Sequence, residues 1–275
     1  MTCADLPDLD PDDRLLLEPL RRLGVHAEPV VWDTPDLDWA GYRLAVIRST
    51  WDYTPRHAEF LRWLPTVPAL ANPADVIRWN SDKRYLAELA AAGIPIVPTE
   101  WVRPGQRWAA PTGRTVVVKP AVSAGSVDTG RYDLTDPEHR GLAERHVDRL
   151  TAAGRVVMVQ PYLSGVDTLG ETALLFFAGR DGLTFSHAIR KGAMLTGPDS
   201  GVEGLFKEER ISPRTPSAAE LAAAGKVLAA VPGGSDRLLY ARVDLLPGPD
   251  GEPVLIELEL VEPSVFLGYA EGAAE

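Results

Sequence analysis

The sequence predicts an α/β fold, with α+β character in its later part, on three observations. In the first seventy residues short apolar runs alternate with helix-period segments over short links, the pattern of a parallel sheet covered by helices. Further on, two pairs of strand-like runs are each joined by a glycine-containing turn, as in antiparallel hairpins. The 275 residues are 45% hydrophobic and 24% charged, enough for a full core in two or three subdomains and unlike a disordered chain or a coiled coil.

The formal net charge is −11 with no long basic run, which argues against a nucleic-acid partner. Any anionic ligand must then be held by particular lysines and arginines. Cys3 is alone, so neither an intrachain disulfide nor a thiolate metal site can form. No apolar run reaches membrane-spanning length and no signal peptide is evident, so a cytoplasmic protein without membrane association is expected. The opening MTCADLPD leaves little room for the first strand of an α/β unit, and a longer native amino terminus is expected.

Asp12 and Asp13 are placed to cap a helix whose Leu15, Leu16, Leu20 and Leu23 keep helical spacing, with Gly24 ending it. VHAEPVVW then reads as a strand, and Leu44 to Ile47 as a short buried one. The RSTWDY loop follows, then a helix from about Pro55 to Leu64 and a strand near Pro68–Leu70. Loops at the carboxyl ends of parallel strands are where ligands bind. Arg48, Ser49, Thr50, Asp52 and Tyr53 supply a cation, hydroxyls and a carboxylate suited to a zwitterionic, amino-acid-like substrate, although a helix-capping loop fits the same residues.

A helix of about Asp82–Ala92 is capped by Ser81 and stopped by Gly93. Lys83 in its first turn opposes the helix dipole unless an anion shares the site, so it is a candidate phosphate ligand as well as an ordinary exposed lysine. TVVVKP is a buried strand that ends at Lys119, and AVSAGSVDTG after it is a loop of small residues whose N–H groups suit phosphates. Neither the P-loop nor the dinucleotide-binding glycine pattern is present.

A helix of about Asp136–Ala152 leads to VVMVQP, where Pro161 stops the strand and Gln160 to Asp167 form a crossover. GETALLFFA and GLTFSHAIRK are paired strands turning at Gly179–Gly182, and the loop from Arg190-Lys191 to Arg210 is long enough for a lid. An Ala-rich helix over 216–231 precedes the hairpin ARVDLLPGPDGEPVLIELEL. Arg242 and Asp244 share one strand face, and so do Glu257 and Glu259, while Val243, Leu245, Ile256, Leu258 and Leu260 are set to face a core. Asp244 opposite Glu257 and Arg242 opposite Glu259 requires a loop of about 247–254 or a bulge. Three carboxylates and an arginine on one face repel unless a hard cation such as Mg²⁺ sits among them. The same alternation also fits a solvated hairpin with ordinary cross-strand charge pairs.

In order, Lys83, Lys119 with its small-residue loop, QPYL, Glu171, Arg190-Lys191, R-x-D and E-x-E resemble the ATP-grasp carboxylate ligases of the glutathione synthetase-like kind, over roughly residues 70–265. The resemblance implies an ATP-grasp fold with an amino-terminal parallel-sheet substrate domain: residues 1–70 for that domain, 71–160 for the central subdomain and 161–275 for the carboxy-terminal one. It implies ATP and Mg²⁺ as cofactors. Lys83, Lys119 and the loop Ser123, Ala124, Gly125, Ser126 would hold phosphates, Gln160 with the backbone of Tyr162 and Leu163 the adenine, and Asp167 the ribose, with Glu171 beside them. Asp244, Glu257 and Glu259 would hold Mg²⁺, and Arg242, with Lys191 and Arg190, would serve phosphoryl transfer. Glu259 departs from the family's E-x-N and leaves the number of metals open.

The implied activity is transfer of phosphate from ATP to an amino-acid-derived carboxylate, followed by attack of an amine on the acyl phosphate. WDY after RST, NPADVIRWN and ELELVEPSVF are most similar to the cyclo-ligase branch, in which O-ureido-D-serine is closed to a D-cycloserine-type ring. An intermolecular ligase of the glutathione synthetase or glutamate-adding type is the alternative, and a non-catalytic nucleotide-binding regulator is another. A homodimer is the assembly the family suggests.

Overall fold

The computed structural model describes residues 1–180, 182–199, 201 and 210–275. In the amino-terminal part β1 (Ala45–Val46) runs parallel to β2 (Leu70–Ala71). The expected VHAEPVVW strand does not form. Val31 alone bridges Thr2, because Pro29 removes a ladder donor beside it. The first helix is a 3₁₀ turn, Asp13–Leu16, followed by α1 (Leu17–Arg22), with Gly24 beyond it at φ +75°. Its predicted caps work elsewhere: Asp12 accepts from the N–H groups of Leu267 and Gly268, and Asp13 accepts from Arg48 and Ser49. A second 3₁₀ turn, Trp51–Arg56, leads into α2 (His57–Trp63). Phe60 of α2 stacks on Tyr53 at 4.5 Å and meets Trp32 edge-on at 5.4 Å, an aromatic core that fixes the Trp51–Tyr53 turn.

A helix not expected from the sequence, α3 (Ala74–Asn80), comes first, and the helix expected over 82–92 is present but starts later, as α4 (Tyr85–Ala91). Ser81 closes the first rather than capping the second: its N–H donates to the Ile77 carbonyl. Lys83 therefore lies in the corner between the helices and not in a first turn. The next sheet has the order β3-β6-β4-β5, all antiparallel, from β3 (Glu100–Val102), β4 (Thr115–Pro120), β5 (Gly130–Asp133) and β6 (Val157–Pro161). Between the last two runs α5 (Pro137–Ala152), capped by the Asp136 side chain on the Glu138 N–H, whose Ala143, Val147 and Leu150 pack on Val116, Val118 and Val159. β3 and β5 are too short to have shown a period in the sequence.

The third sheet has the order β11-β10-β7-β8-β9. After α6 (Gly165–Leu169) come β7 (Glu171–Gly179), β8 (Gly182–Lys191) and β9 (Ile211–Arg214); then α7 (Ala218–Ala229), β10 (Tyr240–Pro247) and β11 (Pro253–Glu259). α7 starts with a reciprocal Ser217–Glu220 capping box and lays Ala224, Val227 and Leu228 against Val243, Leu245 and Leu258. Of the expected lid between Lys191 and Arg210, residues 200 and 202–209 lie outside the described residues.

Candidate active site

The site is organised by the β10–β11 hairpin, in which Arg242 pairs with Glu259 and Asp244 with Glu257. The pairing continues to Pro247 opposite Pro253, so the loop is shorter than the register alone demands; a bulge beyond Asp244 absorbs the extra residue. That bulge turns Ile256 to the cleft side beside Glu257, whereas Val243, Leu245, Leu258 and Leu260 enter the core as expected. The cleft over this face encloses about 490 Å³, a size that suits a small molecule.

Its charges are interlocked. Asp244, 1% exposed, accepts from Lys191 Nζ at 2.9 Å and from Arg242 Nε and Nη2 at 2.8 Å each. Burial alone would raise its carboxyl, but these two cations hold it far below the usual range. Arg242 also bonds Glu259 and the Ser264 carbonyl, and Lys191 reaches Glu171 at 2.9 Å. Burial, together with the neighbouring charge of Asp244, pushes the Glu171 and Glu259 carboxyls up, with Glu257 adding to the effect on Glu259. The carboxylates thus outweigh their partners, and surplus negative charge on hard oxygens is what a divalent cation relieves. Asp244, Glu257 and Glu259 do not bring their oxygens together within 4.8 Å as a set, since Arg242, Lys191 and Lys83 each draw one of them aside. Among the described residues such a grouping occurs at Asp128, His146 and Asp199, where Arg149 and Arg155 already neutralise the two aspartates.

Lys83 is delivered to this face by backbone clamps. Asn80 donates to the Leu258 carbonyl and accepts from the Leu260 N–H, and the Tyr85 hydroxyl bonds both backbone groups of Leu258. These bonds satisfy the free edge of β11 and fix the α3–α4 corner over it. Lys83 Nζ then lies 3.0 Å from Glu257 and donates to the Ser123 carbonyl at 2.7 Å. Burial works against its ammonium, yet Glu257, with Glu259 and Glu262 farther off, raises its pKa; among the described residues Lys119 has no ion pair, and burial, aided by Lys83, lowers its pKa in spite of Glu257. The loop Ser123, Ala124, Gly125, Ser126 lines the same cleft and turns through left-handed backbone at Gly125 and Ser126. Gly170 is needed where it stands, since a Cβ there would lie 2.6 Å from the Lys191 carbonyl, in the step that sets Glu171 opposite Lys191.

Several predicted site residues fall elsewhere. Arg190 and Lys191 are adjacent on β8 and so face opposite ways; Arg190 bonds the carbonyls of Leu169 and Thr168 and stays out of the cleft. Arg48 and Ser49 are buried on Asp13, Asp52 is taken by Trp32 and Arg56, and Thr50 is buried with an unpaired hydroxyl. Of the RSTWDY group only Trp51 and Tyr53 line the cleft. Asp167 accepts from the Tyr162 hydroxyl and lies 3.8 Å from Arg131, beside the cleft rather than in it. Gln160, Tyr162 and Leu163 do line it, but the Gln160 amide donates to Thr99 and the Tyr162 N–H is used by the Thr115 carbonyl. Glu262 opens a stretch, Glu262 to Phe266, whose place directly after the hairpin marks it in the sequence as able to shape a pocket, and Glu262, Ser264 and Phe266 do line the cleft; nothing local marks Asn80 or Tyr85.

Comparison with known proteins agrees with this geometry. Residues 1–75 match the family described as the N-terminal domain of D-cycloserine synthetase DcsG. The cycloserine biosynthesis protein DcsG of Streptomyces lavendulae is 40% identical over 97% of this chain and 91% of its own length. The crystal structure of D-cycloserine synthetase DcsG superposes with a TM-score of 0.86 at 39% identity, covering 99% of this chain and 94% of the other. A RimK domain ATP-grasp protein from Sphaerobacter thermophilus shares the fold at a TM-score of 0.63 and 19% identity, over 98% of this chain and 95% of that one. With the nearly full-length likeness and the interlocked cleft together, this chain belongs to the D-cycloserine synthetase family of ATP-grasp ligases, enzymes that join carbon to nitrogen with ATP.

Proposed function

We propose that the protein uses ATP to activate the carboxylate of an O-ureido-D-serine-like amino acid and closes that same molecule into a ring. The γ-phosphoryl group passes to a carboxylate oxygen and ADP departs; a nitrogen of the side chain then attacks the acyl carbon, losing its proton as phosphate leaves. In this reading Lys83, Lys119 and the Ser123–Ser126 loop bind the triphosphate, and Gln160, Tyr162 and Leu163 flank the base. Arg242 bears on the transferring group, and Lys191 orients Asp244 and Glu171. Asp244, Glu257 and Glu259 would hold Mg²⁺, which when bound neutralises phosphate charge. Enclosure of the cleft keeps water from the acyl phosphate.

The observation that carries the reading is that four buried cations, Lys83, Lys119, Lys191 and Arg242, face buried carboxylates in one cleft that needs no nucleophilic side chain. The division at 1–70, 71–160 and 161–275, a cytoplasmic setting and a homodimer belong to the same proposal; the three sheets fall close to those bounds, and no described helix is long and apolar enough to cross a membrane. ADP release with O-ureido-D-serine, followed by mass spectrometry, tests it. One ADP per ring, with no second amino acid required, is the expected result. Dependence on a second amino acid would make this an intermolecular ligase, and no ADP from any amino acid would leave a nucleotide-binding protein without turnover.

A further inference from the structure

The carboxylates of the hairpin face each have a cation in contact: Asp244 has Lys191 and Arg242, Glu257 has Lys83, and Glu259 has Arg242. Glu262 differs. It is 9% exposed, it lines the same cleft, and the hydroxyl of Tyr53 is beside its side chain. No cation lies within ion-pair distance of it among the described residues. Lys83 and Arg242 act on it only from farther off, and both are already engaged. A buried carboxylate beside a neutral hydroxyl, with no ion-pair partner among the described residues, bears a desolvation cost that its more distant cations offset only in part.

The segment that carries Glu262 is also held still. The Glu262 carbonyl accepts from Trp51 Nε1 at 3.1 Å, the Pro263 carbonyl from Arg48 at 2.6 Å, and the Ser264 carbonyl from Arg242 at 3.0 Å. Tyr53, 3% exposed, is fixed against Phe60. A rigid anion beside a rigid hydroxyl, joined through Ser264 to the arginine that faces the reacting carboxylate, is preorganised for a cation one or two bonds from that carboxylate. An α-ammonium group meets this description.

We infer that Glu262, with the Tyr53 hydroxyl, is the subsite for the protonated amine of the amino-acid substrate, and that it separates amino acids from the matching hydroxy acids and N-acylated acids. The inference rests on the ligase reading above. It also gives Arg48, outside the cleft, and Trp51, at its wall, a part as positioning residues, since they hold the Pro263 and Glu262 carbonyls.

The test measures ADP release by the whole enzyme with O-ureido-D-serine, its N-acetyl derivative and its 2-hydroxy counterpart, for wild type, E262Q and Y53F. Wild type is expected to lose about 100-fold in kcat/KM for the two analogues, since a site built for a hydrogen-bonded group rejects ligands lacking it. E262Q is expected to raise KM for the amino acid at least tenfold, leave KM for ATP unchanged and erase the preference over the hydroxy acid, with Y53F falling between. Equal kcat/KM for amino and hydroxy acids in wild type, or an E262Q enzyme that keeps the preference, would overturn the subsite while leaving the ligase reading intact. Absence of ADP from every carboxylate would overturn both. If E262Q does not fold, the wild-type substrate comparison decides alone.

Discussion

Replacing Lys83 by Met is expected to destabilise the fold through the charge it strands as much as to weaken ATP binding. Lys83 Nζ and Glu257 Oε1 are 3.0 Å apart, with the side chains 9% and 23% exposed. At that distance an effective dielectric of about 20 gives about 5.5 kcal/mol of attraction. The quarter of Glu257 that meets solvent screens the pair, and about 3 kcal/mol is the working figure, at the lower edge of what breaking a buried pair costs. K83M should therefore lose about 3 kcal/mol by urea unfolding. E257Q in the same background should recover at least 1 kcal/mol of that, because the uncompensated anion is gone. Kinetically K83M should raise KM for ATP more than KM for the amino acid. Additive single and double mutants, within about 0.5 kcal/mol, would refute the claim that Lys83 neutralises Glu257.

Three further outcomes are expected. D244N removes the anion that Lys191 and Arg242 share, and should lower ADP release at least 100-fold; retention of more than a tenth of the activity would count against Asp244 as the centre of the site. N80A strips two bonds from the Leu258 carbonyl and the Leu260 N–H and should cost about 2 kcal/mol in denaturant unfolding, with a rise in KM for ATP because the Lys83 corner loosens. His146 is held down to about 4 by burial and by Arg149, against an ordinary 6.5. The unfolded chain therefore takes up a proton that the native one refuses, and stability should fall as pH drops from about 6.5 to about 4 and not rise again below. A loss of roughly 3 kcal/mol over that window is expected by linkage, flattened in H146Q; an unchanged slope in H146Q would assign the acid sensitivity elsewhere.

The sequence by itself determined the carboxylate hairpin, because strand alternation puts Arg242 with Asp244 and Glu257 with Glu259 whatever surrounds them, and the bulge was one of the two ways left to align them. It likewise determined the buried strand ending at Lys119 and the helices expected over about 136–152 and 216–231, which form as Pro137–Ala152 and Ala218–Ala229. It overreached where only composition was available: RSTWDY has the chemistry of a substrate loop, but the partners that bury Arg48, Ser49 and Asp52 come from Asp13, Trp32 and Arg56, which local sequence does not announce. Tertiary structure alone decided that the lysine corner at 81–84 docks on the edge of β11 through Asn80 and Tyr85, contacts spanning more than 170 residues. It also decided that Glu262 turns into the cleft with no ion-pair partner among the described residues. Local pattern fixes which face of an element is polar, whereas the partner of a charge depends on which distant backbone passes within 3 Å of it, and that is set only when the sheets have packed.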